Sequence, residues 1–301
     1  MKELREIISL WQKHHPRACA LATLVRARGS SYRRPGARML ITSDGDTAGA
    51  LSAGCIEEEV AMHARDVIAS GEPKLIAFDT RRRFGCSGSI EIFIELLDEQ
   101  VMEPLRDMIG GRRACTLVTV FEDGERLGSQ ISREAAFANG FAQTIEPPLR
   151  LIVIGEGADA NALAAHAQLL GWDLELARAI TELQSAVDHR TAAVIATHNF
   201  GRDCAALRHL LPLGLRYVGL VGPRRRREEL LLDVIDSGAA TKSQLFAPAG
   251  LHLAAETPEE IALSIIAEIQ AVFADGTGKH LRDRKEPIHA NNSAECAISA
   301  R

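Results

Sequence analysis

The chain has 301 residues, 46% hydrophobic and 25% charged, the balance of a folded protein with room for two domains. A net charge of -5 excludes broad electrostatic binding to nucleic acid, and no apolar run reaches membrane-spanning length. Lys2, Glu3, Arg5 and Glu6 charge the first residues, so no signal-peptide core is present and a cytoplasmic location is expected.

In chain order, Leu4, Ile7, Ile8 and Trp11 recur at helical spacing, and Pro16 follows that pattern. Strand-like apolar runs lie at 18–25, 37–41, 75–78, 90–96 and 115–120. Ile56, Val60, Val67 and Ile68 share one face with Gly71 just beyond, which predicts a helix over 56–69. This mixture reads as an α+β domain over 1–146, closed by Glu146-Pro147-Pro148, where two prolines can continue neither element. Strands predicted at 151–154, 174–177, 192–196 and 217–221 then alternate with helices at 158–170, 180–187, 203–211 and 226–235. That alternation predicts an α/β fold overall, with a Rossmann-like, doubly wound parallel sheet domain over 147–274. Thr257-Pro258-Glu259-Glu260 reads as a capping box opening a last helix. Its apolar residues Ile261, Ile265, Ile266, Ile269, Val272 and Phe273 could pack within the domain or against a second copy in a homo-oligomer. Residues 275–301 are polar and patternless, so a mobile tail is expected.

Six cysteines lie far apart with no Cys-x-x-Cys pair, which argues against a disulfide framework or a structural zinc site. Cys19 and Cys115 sit in strand-like runs and read as buried small hydrophobes, Cys204 falls in a helical pattern, and Cys296 lies in the tail. Cys55 follows Gly54, and Cys86 is flanked by Gly85 and followed by Ser87-Gly88. Glycines beside a thiol let a ligand approach the sulfur. Upstream, Arg33, Arg34 and Arg38 surround Pro35-Gly36, a turn suited to an anion clamp of planar guanidinium forks. Together these residues suggest a thiol site for an anionic ligand. Cys55 precedes a predicted helix, whose N-terminus favours a thiolate, while Glu57, Glu58 and Glu59 oppose it.

In the second domain, Gly155-Glu156-Gly157-Ala158-Asp159-Ala160 fits the G-x-G-x-x-A turn between strand and helix, so Gly155 and Gly157 are candidate phosphate-binding positions. Glu156 puts a negative charge in that cradle, and Arg178 stands where a ribose-binding carboxylate is expected. Both disfavour NAD. Glu175 alternates with Leu174 and Leu176 and points away from their face, and a Rossmann scaffold without a nucleotide is the equal alternative. His198, in Thr197-His198-Asn199, follows a strand at the ligand-binding end of such a sheet. It either serves a ligand, or caps a helix or satisfies a loop carbonyl. Of the arginines after Gly222-Pro223, Arg224 is the one expected to face a ligand.

The motifs Gly-Ser-Ser-Tyr-Arg-Arg-Pro-Gly-Ala-Arg-Met, Leu-Ser-Ala-Gly-Cys-Ile-Glu and Gly-Cys-Ser-Gly resemble those of the XdhC/CoxI family. The second domain adds Thr197-His198-Asn199 with Asp203, Gly219-Leu220-Val221-Gly222-Pro223-Arg224, Pro248-Ala249-Gly250-Leu251 and the Thr257-Pro258-Glu259-Glu260 helix. The likeness covers nearly all of the chain except the tail. It implies an accessory chaperone for xanthine dehydrogenase and related molybdenum hydroxylases, without catalytic residues of its own. Such a protein binds the molybdenum cofactor (molybdopterin), holds it while a cysteine desulfurase installs the sulfido ligand, and delivers it to the apo-hydroxylase. The resemblance assigns Cys55 and Cys86 as molybdenum contacts. The chain departs from the family at Ala53, Ser87, Glu156 and Arg178, the last two placed where alanine and aspartate are usual. Two readings of other classes compete: a nicotinamide-dependent oxidoreductase using His198 as acid or base, and a structural adaptor with filler cysteines.

Overall fold

Residues 19–25 are buried without exception, which requires a strand covered on both faces. The computed structural model describes residues 1–29, 31–79, 88–122, 127–132, 140–236 and 241–285. The chain divides into two units, Met1–Pro147 and one beginning at Pro148. In the first, β1 (Cys19–Gly29) is the centre of an antiparallel five-stranded sheet. It is flanked by β2 (Arg38–Thr42) and β3 (Thr47–Gly49) on one side, and by β5 (Gly88–Leu96) and β4 (Lys74–Asp79) on the other. One face is covered by α2 (Glu57–Ser70), whose Val60, Ala64 and Val67 follow helical spacing and meet Ala20, Ala22, Leu24, Ile92 and Ile94. Each enclosed valine stabilises the unit by about 1.5–3 kcal/mol. The opposite face packs Leu21 and Leu40 against α1 (Lys2–His14) and α3 (Glu99–Gly110). Beyond it lies a second sheet in the order β7 (Gly128–Ser132), β6 (Cys115–Val120), β8 (Gly140–Ile145). Val25, Phe93, Phe121 and Phe141 form a smaller core between the sheets.

The second unit is a parallel sheet in the order β10 (Asp173–Ala177), β9 (Arg150–Gly155), β11 (Thr191–Ala196), β12 (Tyr217–Leu220), β13 (Leu245–Phe246). The helices α4 (Ala158–Leu169) and α7 (Pro258–Phe273) cover one face, while α5 (Phe200–Leu210) and α6 (Arg224–Asp236) cover the other. This is the Rossmann-like, doubly wound arrangement expected from the alternation. Thr257 and Glu260 form the reciprocal capping box of α7. Ile265, Ile266, Ile269 and Phe273 of that helix are buried in the core of their own unit.

Two expectations change. The helix predicted over 180–187 is only a 3-10 turn, Ile180–Glu182. The Glu175 carboxylate accepts from the Gln184 N–H (2.7 Å) and from Ser185, which satisfies those donors outside a helix. Helix α3 has no counterpart among the predicted elements, and Asp98 caps it by accepting from the Gln100 N–H. At the start of the tail, Arg216 donates to Asp275 (2.7 Å), and the Gly276 N–H donates to the Ala271 carbonyl (2.7 Å). Residues 286–301, including Cys296, lie outside the described residues. Among the described residues no helix is long and apolar enough to cross a membrane.

Candidate functional site

The arginine loop is built on a tight turn. The Ala37 N–H donates to the Arg34 carbonyl (3.1 Å), with Pro35 and Gly36 between and Gly36 at φ +97°. A Cβ on Gly36 would lie 2.6 Å from the Gln143 amide nitrogen, the end of a side chain that can shift, so the positive φ is what calls for glycine. Arg33 forms a two-pronged pair with Glu3 on α1, at 2.8 and 2.5 Å. Hydrogen bonding from Arg33 holds the Glu3 carboxyl below its usual range. Arg38 is not part of the turn. It opens β2, where strand alternation puts it on the Leu40 face, towards the three-stranded sheet. Its Nη1 donates to the Gly36 carbonyl (3.0 Å) and to Gln143 Oε1 (2.5 Å). The residue is 5% exposed, and burial pushes its guanidinium down to about 10. Glu95 on the same face is also buried, which raises its pKa, and it accepts from the Ser129 N–H (2.6 Å) and hydroxyl (2.5 Å). A cavity of about 480 Å³ opens beside the loop, lined by Glu3, Tyr32, Arg33, Arg34, Arg38 and Gln143 among others.

Cys55 is exposed, whereas Cys19, Cys115 and Cys204 are buried. Burial raises the thiol pKa of Cys19 and Cys115 and pushes that of Cys204 up to about 11, so these three are poor nucleophiles. The Cys55 sulfur lies 3.3 Å from the Ser52 hydroxyl. Ser52 Oγ accepts from the Gly54 N–H (3.1 Å) and the Cys55 N–H (3.2 Å), and donates to Glu57 (2.7 Å). The Glu57 carboxylate accepts from the N–H groups of Leu51 (3.2 Å), Ser52 (2.7 Å) and Ile56 (3.1 Å). Burial raises its pKa, but the Ser52 and backbone hydrogen bonds outweigh burial and leave it below the usual value. The Glu57 carboxylate thus gathers the N-cap amide of Ile56 and two amides of the thiol loop just before α2. Gly54 has φ +104° with open space around it. Arg33 feels the charge of Glu57, so the arginine and thiol loops are within electrostatic reach. Cys86 lies outside the described residues.

The second unit gathers a separate cluster where the sheet order turns, at the carboxyl ends of β9 and β11. Gly155 sits there so close to β11 that a Cβ would collide with the Ala196 carbonyl. Gly157, at φ +90°, caps α4. His198 adopts φ +53° and pairs through Nε2 with Asp159 (2.9 Å). Glu156 is flanked by Arg202 (3.4 Å) and Arg178 (3.8 Å), in exposed pairs. Buried Asp203 accepts from Thr197 Oγ1 (2.5 Å) and from Arg226 Nη2 (2.6 Å) and Nε (3.1 Å). Arg226, not Arg224, joins this cluster; Arg224 is exposed on the first turn of α6. Glu3, Gln143, Asp159 and Arg226 are not marked out by the sequence. Only Arg226 leaves a trace there, as part of the basic run that follows Gly222-Pro223.

Similarity to known proteins extends over both units. The model of the XdhC and CoxI family matches residues 13–79, and that of the XdhC Rossmann domain matches residues 151–269. A Bacillus subtilis protein named as a probable xanthine dehydrogenase subunit is 30% identical, over 83% of this chain and 91% of that protein. The molybdenum cofactor insertion chaperone PaoD of Escherichia coli is 26% identical, over 85% of this chain and 84% of that protein. A crystal structure from Bacillus halodurans described as a xanthine dehydrogenase shares the fold, with a TM-score of 0.77 at 23% identity over 92% of this chain and 97% of that one. With the thiol loop, the arginine loop and the glycine turn in their expected order, the chain belongs to the XdhC and CoxI family.

Proposed function

We propose that the protein binds the molybdenum cofactor and inserts it into an apo molybdenum hydroxylase of the xanthine dehydrogenase type in the cytoplasm. The observation that carries this reading is Cys55, the exposed thiol among the free cysteines of the described residues. A thiolate is a soft ligand suited to a thiophilic metal, and the guanidinium groups of the arginine loop suit an anionic, phosphate-bearing pterin. The names of the relatives from Bacillus subtilis and Escherichia coli support the same assignment. Cys55 contacts the metal, with Cys86 as a second contact, while a cysteine desulfurase supplies the terminal sulfur. Gly54 keeps the approach to the sulfur open. In the second unit, Glu156 in the glycine turn and Arg178 just after β10 work against ordinary NAD binding.

Metal and pterin analysis of protein purified from molybdate-fed cells tests this reading. Molybdenum with a bound pterin is expected. A nicotinamide nucleotide in their place would overturn it in favour of an oxidoreductase.

A further inference from the structure

Arg38, one of the residues lining the cavity beside the arginine loop, carries an anomaly. Arg38 has five N–H donors, of which the two on Nη1 reach Gly36 and Gln143. Those on Nε and Nη2 are shielded from solvent and have no acceptor. These two nitrogens share one edge of the guanidinium, the fork that grips a carboxylate or phosphate with two parallel bonds. Arg226 uses the same edge on Asp203. Glu95, the acid whose charge Arg38 feels most, is bound to Ser129 instead. A buried guanidinium with an empty fork is expensive unless something enters to fill it.

The rest of the cavity wall shows what would enter. Arg33, Arg34 and Arg38 line it together with Glu3, a basic wall that suits an anionic group. Glu3 already occupies the fork of Arg33 (2.5 and 2.8 Å) as an internal anion. Tyr32, 66% exposed, also lines the cavity and offers an aromatic face for the body of a ligand. The element facing Arg38 across the sheets presents Gln143, a neutral and flexible side chain that can yield.

We propose that this cavity is a phosphate-monoester site, with Arg38 as its anchor, Gln143 as the side chain displaced, and Glu3 as the competitor for Arg33. The inference rests on the cofactor-binding reading for the identity of the ligand, and assigns this pocket to the phosphate end while Cys55 serves the metal end. Whether the pocket takes a phosphate ester can be measured without a client enzyme.

Calorimetry of the full chain with inorganic phosphate and with glycerol 3-phosphate provides the test. Saturable binding is expected, with the ester at least as tight as inorganic phosphate because the cavity has room for its body. Arg38→Met should fold, since it removes a buried unpaired charge, and should weaken binding by about tenfold or more. Glu3→Gln, a change outside the core, should tighten binding by up to about fivefold by releasing Arg33. No saturable heat from the wild-type chain, wild-type affinity in Arg38→Met, or weaker binding in Glu3→Gln would each overturn the proposal. A preference for inorganic phosphate over the ester would overturn the ester assignment. None of these results depends on Cys55, so the pocket and the maturation role can fail separately.

Discussion

Removing Asp203 should release the loop that carries His198, and the cost can be worked from its bonds. Its carboxylate is 1% exposed and binds Thr197 Oγ1 at 2.5 Å and Arg226 at 2.6 and 3.1 Å. Breaking a buried pair from one side costs about 3–5 kcal/mol, because the remaining charge loses its partner. Arg226 is 25% exposed and can turn towards water, so Asp203→Ala should cost about 3 kcal/mol. Arg226→Ala strands the less accessible partner and should cost about 3–5 kcal/mol. The double variant should cost less than the sum, leaving a coupling of at least about 2 kcal/mol. The chain has two tryptophans, Trp11 and Trp172, so a Trp11→Phe background makes Trp172 the sole reporter of the second unit. Urea unfolding of the four proteins by Trp172 fluorescence measures the cycle. Additive effects, within about 0.5 kcal/mol, would refute the claim that Asp203 and Arg226 act as a pair.

Gly155→Ala should destabilise the second unit by about 2–3 kcal/mol, because the new methyl group collides with the Ala196 carbonyl. Trp172 fluorescence in urea checks this, and a midpoint equal to wild type would contradict the close approach. Calorimetry with NAD should show no saturable heat at micromolar concentrations, since an arginine cannot accept ribose hydroxyl hydrogen bonds; micromolar affinity would defeat the reading of Arg178. Glu57 has a folded pKa below its ordinary 4.5, so its stabilisation is present at neutral pH and is lost as pH falls through the lower folded value. Glu57→Gln should cut the amide exchange protection of Ser52 and Ile56 by about threefold to tenfold at neutral pH. Unchanged protection would show that the carboxylate does not order the thiol loop.

The second unit is largely legible in the sequence because its strands are short apolar runs and its helices have caps that act locally. Thr257 and Glu260 are three residues apart, and both halves of their capping box form. The 180–187 segment misleads because its apolar residues fit a helix, while Glu175, nine residues before Gln184, takes the backbone donors. Helix α3 is masked by Pro104, although Asp98 and the buried positions Val101, Met102, Leu105 and Ile109 mark it. Strands β7 and β8 are partly exposed flanking strands with polar residues, so they lack a clear alternation. At the candidate site, the exposed cysteine is legible from its glycine and the turn from Pro35-Gly36. Pairing is not. Glu3 and Arg33 are 30 residues apart, and Gln143 and Arg38 are 105 apart, so only folding brings them together. The burial of Arg38 does leave a signal: in Arg38-Met39-Leu40-Ile41, alternation puts the arginine on the face of Leu40.

The proposed part of the Cys55 thiol in cofactor maturation is tested most directly by removing it. The client hydroxylase is produced with wild-type protein, with Cys55→Ala, or with no accessory protein, at matched levels, and its specific activity and sulfurated cofactor content are measured. Cys55→Ala should fold like wild type, because the side chain is exposed. It should leave the client at the level found with no accessory protein. Cys19→Ala and Cys115→Ala, which remove buried thiols, should keep full maturation. Full client activity with Cys55→Ala would contradict a role for the thiol.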